Sequence, residues 1–370
     1  MKDDKQNPGQ RDATVDVGAN DVDYKKAIGA DDGGLIDNAV EAIKGVAGKV
    51  ANKLDPLTEQ YAGLFKTGLR TPIMRKPSDY GMAFEETWFP SMDGVPLEAW
   101  FIPADSDKLL VINHPMTCNR YGFPGHLPEY KGYFGGFEVN FLPELKALHD
   151  AGYNILTYDL RNCGRSGEAN GGISGLGLLE CRDVVGSVRH ARQHPVMGKL
   201  RTSLFSRCMG GNSTIIAMAK WPGEFKHIEA LVLLNVVSGP TFIERGAENL
   251  GLDPTEAARR LDQRCRETTG FSLFDFRPQD YGRGVTVPTL MAQLRRDFMI
   301  KGEKDGQEIF DSLAAQTKEL LWIDQSNQRF YAYNHFGQHP ERLIGWFDQY
   351  MSGNARERAP EQRSPAHAAS

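Results

Sequence analysis

From Lys108 to Asp324 the chain alternates short apolar runs with longer amphipathic stretches, and this alternation limits the fold more than any other feature. KLLVINHP, YNILTYDL, RTSLFSRC, EALVLLNVV, VPTLMAQLR and KELLWID are short, apolar and closed by polar or small residues, as strands are. FLPELKALHDAG and LECRDVVGSVRHARQHP, which separate some of them, carry helical spacing instead. Strands that are apolar on successive positions must be covered on both faces, which calls for helices on either side of a mostly parallel sheet. Upstream, FEETWFPSMDGVPLEAWFIPA reads as a hairpin turning at Asp93-Gly94. In open sheets of this kind ligands bind beyond the carboxyl ends of the strands. The informative residues are therefore those just after each run: His114-Pro115-Met116, the loop Asp159–Ser166, Cys208, Asp297 and the stretch QSNQRFYAYNHFGQHP.

The two ends read differently. Residues 1–34 are rich in Asp, Gly, Asn and Lys and bury too little to offset chain entropy, so a disordered tail is expected there, and another over 352–370. Residues 35–80 form an N-terminal amphipathic helix and lead-in. Ile36, Val40, Ile43, Ala47, Val50 and Leu54 share one helical face, suited to packing on the main domain or on a second copy of the chain. The helix at 35–54 is thus the candidate homo-oligomer contact. The main domain is expected over 81–351. Within it, about 241–281 is too long for a simple crossover and carries a helix start at Asp253-Pro254, so it reads as a helical lid over the strand ends. Two ordinary crossover helices are the alternative.

Composition narrows the function classes. The 370 residues are 40% hydrophobic and 25% charged, as in a soluble globule. A net charge of −5 gives no reason to expect nucleic acid or an anionic membrane as partner, and no apolar run reaches the length of a membrane span. Five irregularly spaced cysteines do not suggest a disulfide framework, and MKDDKQNPGQRD lacks the apolar core of a signal peptide. The cytoplasm is the expected compartment. No His-Glu-x-x-His or Cys-x-x-Cys pair suggests a metal, and no Gly-x-x-x-x-Gly-Lys loop suggests a nucleotide, so no cofactor is expected. The glycine-rich GGISGLGLLE reads as a flexible approach to the helix that follows it.

SRCMGG, residues 206–211, stands where a strand gives way to a helix. Gly210 and Gly211 permit a tight turn there. A thiol beside a helix N-terminus is favoured as thiolate, the attacking form, which makes Cys208 a candidate nucleophile. Cys118, Cys163 and Cys181 read as buried structural residues.

In this order the segments resemble the α/β-hydrolase superfamily over roughly residues 80–351. VINHPMTCNR stands where that family keeps its oxyanion loop, and AGYNILTYDLRNCGRSG looks like its Asp-x-Arg-x-x-Gly-x-Ser loop. SRCMGG takes the place of the nucleophile elbow, with Ser206 where glycine is usual, and VPTLMAQLRRD resembles the strand that ends in the triad acid. A cysteine at the apex is similar to dienelactone hydrolases, and Cys-x-Gly-Gly to the corresponding box of polyhydroxyalkanoate synthases. The resemblance implies an α/β-hydrolase fold, a mostly parallel sheet with helices on both faces and an inserted helical lid. It further implies Cys208 as nucleophile, Asp297 as acid and an oxyanion hole from the backbone N–H groups of Met116 and Met209.

The histidine is less direct. Counting from KELLWID puts the family's base near Asn327 or Gln328, and neither is a base. In the same loop His335 is the candidate and His339 the alternative; a third outcome is no catalytic histidine in this loop. The implied function is a hydrolase cleaving an ester, thioester or lactone through a cysteine acyl-enzyme with a Cys-His-Asp triad and no cofactor. An acyltransferase using the same thioester intermediate is one alternative. A non-catalytic ligand-binding member of the fold, motivated by Gln328, is another. Sulfur chemistry suits thioesters, enol esters and strained lactones better than amides.

Overall fold

The computed structural model describes residues 54–66, 70–131 and 135–352. The tails expected at 1–34 and beyond Ser352, and the 35–54 helix short of its last residue, lie outside the described residues.

The strands are β1 (Glu85–Pro90), β2 (Pro96–Ile102), β3 (Lys108–Asn113), β4 (Gly122–Pro124), β5 (Glu138–Asn140), β6 (Asn154–Tyr158), β7 (Arg201–Arg207), β8 (Ile228–Leu234), β9 (Thr289–Leu294) and β10 (Lys318–Ile323). Eight of them form one sheet in the order β1-β2-β6-β3-β7-β8-β9-β10, and β4 pairs with β5 apart from it. β1 and β2 make the antiparallel hairpin, turning through Gly94 at φ +88. β2 joins β6 antiparallel, and every pairing from β6 to β10 is parallel.

The two-residue period of a strand divides the side chains between two apolar cores. In β3, Leu109 and Val111 enter one and Leu110 and Ile112 the other; in β8, Leu231 and Leu233 oppose Ala230, Val232 and Leu234. All residues of β6 and β9 are buried, as strands covered on both faces must be.

The helices are α1 (Leu54–Lys66), α2 (Leu142–Asp150), α3 (Cys181–Gln193), α4 (Met209–Lys220), α5 (Gly239–Asn249), α6 (Pro254–Thr269), α7 (Gly302–Ser312), α8 (Arg329–Ala332), α9 (His335–Gln338) and α10 (Glu341–Tyr350). The first core takes residues from α1 and α3 to α7, the second from α2 and α8 to α10.

Helices α5 and α6 occupy the stretch between β8 and β9 that was expected as a lid. Asp253 caps α6, its Oδ1 accepting the N–H of Thr255 at 2.8 Å and of Glu256 at 3.0 Å, with Pro254 in the first turn. Helix α1 packs with them: Phe65 stacks on Phe276 at 5.2 Å, and Arg260 and Arg264 reach Asp55 at 2.5 Å and Glu59 at 2.7 Å. One expectation is corrected. From Ser174 to Glu180, GGISGLGLLE is a buried, hydrogen-bonded turn rather than a loose approach, because the Glu180 carboxylate accepts the N–H groups of Gly175 (2.9 Å) and Gly177 (2.8 Å). Among the described residues no helix is long and apolar enough to cross a membrane.

Candidate active site

Strand β7 ends at Arg207 and α4 begins at Met209, so Cys208 is the one residue between them. It holds φ +46 and ψ −115, a conformation that costs about 1–3 kcal/mol for a residue with a Cβ. Its surroundings enforce it. Cys208 N–H donates to the Leu234 carbonyl at 2.8 Å, and its own carbonyl accepts from Asn212 N–H at 2.8 Å. A Cβ on Gly210 would stand 2.7 Å from Asn113 Cβ and 2.8 Å from the His114 carbonyl, and one on Gly211 2.4 Å from Val236 Cγ1. Both positions therefore require glycine. Ser206 is accommodated because its hydroxyl joins a buried network, accepting from Asn113 Nδ2 at 2.7 Å and meeting Thr214 Oγ1 at 2.8 Å.

Cys208 lines a largely apolar pocket with about 570 Å³ of empty space, open solvent at its mouth included. Met116 contributes to its wall from the loop after β3, Leu176 from the glycine-rich turn, Phe242 from α5, Leu261 from α6 and Tyr61 from α1. Arg329 and Tyr333 complete it.

Asp297 follows β9 and is buried. Its Oδ2 accepts from Arg329 Nη1 at 2.7 Å and its Oδ1 from the Met299 N–H at 2.9 Å. Burial raises the carboxyl despite the guanidinium beside it. Arg329 Nη2 donates to the Asn235 carbonyl. Burial opposes the charge of Arg329, but Tyr333, Asp297 and Cys208 more than restore it, and the group stays protonated. The Tyr333 side chain is hydrogen-bonded to Cys208, and burial first of all holds its phenol far above the ordinary value. A cation tied to the acid thus shares the pocket wall with the thiol.

The structure brings Cys208 and Met116 onto one wall and links Asp297 to that wall through Arg329; the Met209 N–H lies next to Cys208 in sequence, at the start of α4. It does not bring His335 or His339 there: among the described residues the pocket wall carries no histidine. The His335 ring packs on Phe336 at 5.1 Å and on His339 at 5.3 Å, and burial, with His339, pulls its imidazole down to about 4. The reason is helical geometry. Arg329 and Tyr333 are four residues apart, one turn of helix, and share a face; His335 is two residues past that face. Counting along the sequence from KELLWID ends near Asn327 or Gln328, next to Arg329, and nothing in the residue type signals that Arg329 reaches the pocket wall.

Other singled-out residues hold loops together. His114 Nε2 accepts the Leu160 N–H at 2.9 Å and Nδ1 donates to the Pro115 carbonyl at 2.8 Å, so the ring is neutral, and burial pulls it down to about 4. Asp159 accepts the N–H groups of Arg120 (2.8 Å) and Arg165 (2.9 Å), and Arg161 pairs with Asp183 at 2.7 Å. Burial raises the thiols of Cys118 and Cys163, and those of Cys181 to about 11 and Cys265 to about 12. Among the described residues no group of His, Cys, Asp or Glu is placed to hold a metal ion.

Solved structures share the fold. The esterase Pf2001 of Pyrococcus furiosus superposes with a TM-score of 0.56 at 20% identity, over 78% of this chain and 98% of that one. The alpha/beta hydrolase GrgF from Penicillium sp. sh18 gives 0.52 at 15% identity, over 74% of this chain and 100% of the other. The fold is the α/β-hydrolase fold. DcsB, solved in complex with its substrate analogue, gives 0.52 at 14% identity over 73% and 100% of the two chains. No protein-family model and no curated protein matches the sequence. Within the α/β-hydrolase fold, Cys208 lies at the strand-to-helix apex and Asp297 after β9, while Arg329 follows directly on Gln328, where counting from KELLWID ends.

Proposed function

We propose that this protein cleaves an activated acyl bond, in a thioester, ester or lactone, by forming a thioester on Cys208. One observation carries the reading: a cysteine held in a strained apex conformation on the wall of an apolar pocket, with a buried guanidinium on the same wall. With Arg329 on the same wall, the sulfur's attacking form is the thiolate, as for any cysteine nucleophile. Attack on the carbonyl carbon forms a tetrahedral intermediate. Its oxygen is received by the N–H of Met209, a helix N-terminal donor without an intrahelical acceptor, and by the N–H of Met116. Collapse breaks the bond to the leaving group and leaves the acyl group on sulfur. Asp297 orients a guanidinium instead of an imidazole, so Cys208–Arg329–Asp297 replaces the triad that would have used His335. An esterase among the structural neighbours is consistent with the acyl class. Five free cysteines fit the reducing cytoplasm expected from the sequence.

The test is direct. Incubation with p-nitrophenyl octanoate and with octanoyl-coenzyme A, followed by peptide mass spectrometry, should show one octanoyl group on the Cys208 peptide. Cys208→Ala should abolish it, and Arg329→Gln should slow it by roughly a hundredfold, the scale of losing one preorganised electrostatic partner. Label on other cysteines, or none from either donor, refutes the reading. A ligand-binding protein without turnover is the second reading, favoured by the same Arg329, since a permanent cation stands where a base would be. It would be distinguished by octanoate binding that persists in Cys208→Ala while the parent is never acylated.

A further inference from the structure

A hydrolase must take a proton from water to release its acyl group, and the pocket is poorly equipped for that. The ionisable side chains on its wall are Cys208, Arg329, Tyr61 and Tyr333. Arg329 is a cation tied through Nη1 to Asp297 and through Nη2 to the Asn235 carbonyl. Tyr333 is bonded to Cys208, and burial raises Tyr61 to about 12. Behind the wall, both oxygens of Asp297 already receive N–H donors and both nitrogens of His114 are engaged. Among the described residues the wall is furnished with donors and a fixed positive charge, while the acceptor that activates water is missing.

Thiol chemistry needs no such acceptor. We infer that Cys208 exchanges acyl groups between thiols, taking them from one thioester and passing them to a second thiol rather than to water. The inference rests on the acylation of Cys208 proposed above. In the first step the Cys208 thiolate attacks the thioester carbonyl, the carbon–sulfur bond of the donor breaks, and the donor thiol leaves as thiolate with its electron pair. In the second, the acceptor thiolate attacks the Cys208 thioester, the bond to Sγ breaks, and the electron pair and charge return to Cys208 beside Arg329. No net proton, oxidant or cofactor enters either step. Arg329 Nε, buried and without a partner among the described residues, leaves one more donor for the bound acyl group. Leu176, Phe242 and Leu261 give the acyl chain an apolar wall, so an alkyl or aryl thioester is the class that fits.

The experiment uses the whole protein loaded with octanoyl-N-acetylcysteamine, freed of excess donor by rapid desalting. Loss of the acyl group from Cys208 is then followed in neutral buffer alone and with pantetheine. The same acyl-protein unfolded in urea supplies the uncatalysed rates for both. Pantetheine should discharge the folded acyl-protein at least about a hundredfold faster than it discharges the unfolded one, a factor of the size a positioned catalytic group supplies. The product should be octanoyl-pantetheine. Release of octanoic acid should be no faster from the folded than from the unfolded protein. Accelerated release of octanoic acid, or no acceleration by folding with pantetheine, overturns the exchange while leaving acylated Cys208 in place. A Cys208 that never accepts octanoyl from this donor or from p-nitrophenyl octanoate overturns the underlying reading instead.

Discussion

At the scale of single residues, backbone strain marks the site. Besides asparagines, which tolerate positive φ, the described non-glycine residues at positive φ are Thr117 (+67), Leu176 (+44) and Cys208 (+46). All three line the same pocket. Strain of this kind persists only where the surrounding structure over-determines it, and it gathers at functional sites. It has a measurable consequence at Cys208. Alanine keeps the Cβ and with it the strain, whereas glycine adopts φ +46 freely but has more freedom to lose from the unfolded chain. The first effect is the larger. Cys208→Gly should therefore be more stable than Cys208→Ala by about 1 kcal/mol, read from urea midpoints at equal slopes. Equal midpoints, or a less stable glycine variant, would mean that the apex is not strained.

At the scale of elements, legibility followed periodicity. β3 and β6 to β9 could be read because a strand covered on both faces leaves an unbroken apolar run, and the polar residue that ends each run sits where ligands bind. Cys208 and Asp297 were found that way. Helix α1 was not, because an apolar face says that a helix packs but not on what. Residues 55–66 fall in the lead-in expected after the amphipathic helix, yet Tyr61 and Phe65 help line the pocket. The GGISGLGLLE turn was misread because its order comes from a carboxylate, Glu180, and not from the glycines that dominate its composition. Arg329 escaped for a similar reason: its importance lies in what it touches. For α1 the contacts divide into two kinds. The ion pairs to Asp55 and Glu59 are exposed and worth less than about 1 kcal/mol each, whereas Phe65 is 4% exposed and stacked on Phe276. Phe65→Ala should destabilise the protein by about 3–5 kcal/mol and Asp55→Asn by under about 1 kcal/mol in urea unfolding. A large effect of Asp55→Asn would show that charge, and not packing, seats this helix.

At the scale of the whole molecule, the carboxyl edge of the sheet is a layer of buried charge. Arg120, Arg161, Arg207 and Arg329 are each almost wholly buried and each pairs with a carboxylate: Asp159, Asp183, Glu144 and Asp297. The residues after each strand were legible in the sequence; which would pair was not, since pairing depends on strand order. This layer gives the fold opposing responses to acid. Burial raises Glu144 to about 7 and Asp183 to about 6, so these groups bind protons more readily in the folded chain and favour it as pH falls. His114 acts the other way. Burial pulls it down to about 4, against about 6.5 in the unfolded chain, so below that higher value the unfolded chain takes a proton the folded one refuses. Its neutral ring is fully accommodated above about pH 6.5, and stability is lost as pH falls towards 4, by about 3 kcal/mol at the low end. A pH series on the parent alone would mix the two responses. His114→Gln separates them, because an amide retains an acceptor for the Leu160 N–H and does not titrate. The stability of the parent relative to His114→Gln should therefore fall by about 3 kcal/mol between about pH 7 and pH 4. A difference that stays level across that range would mean that His114 is not the neutral tie between the loops after β3 and β6.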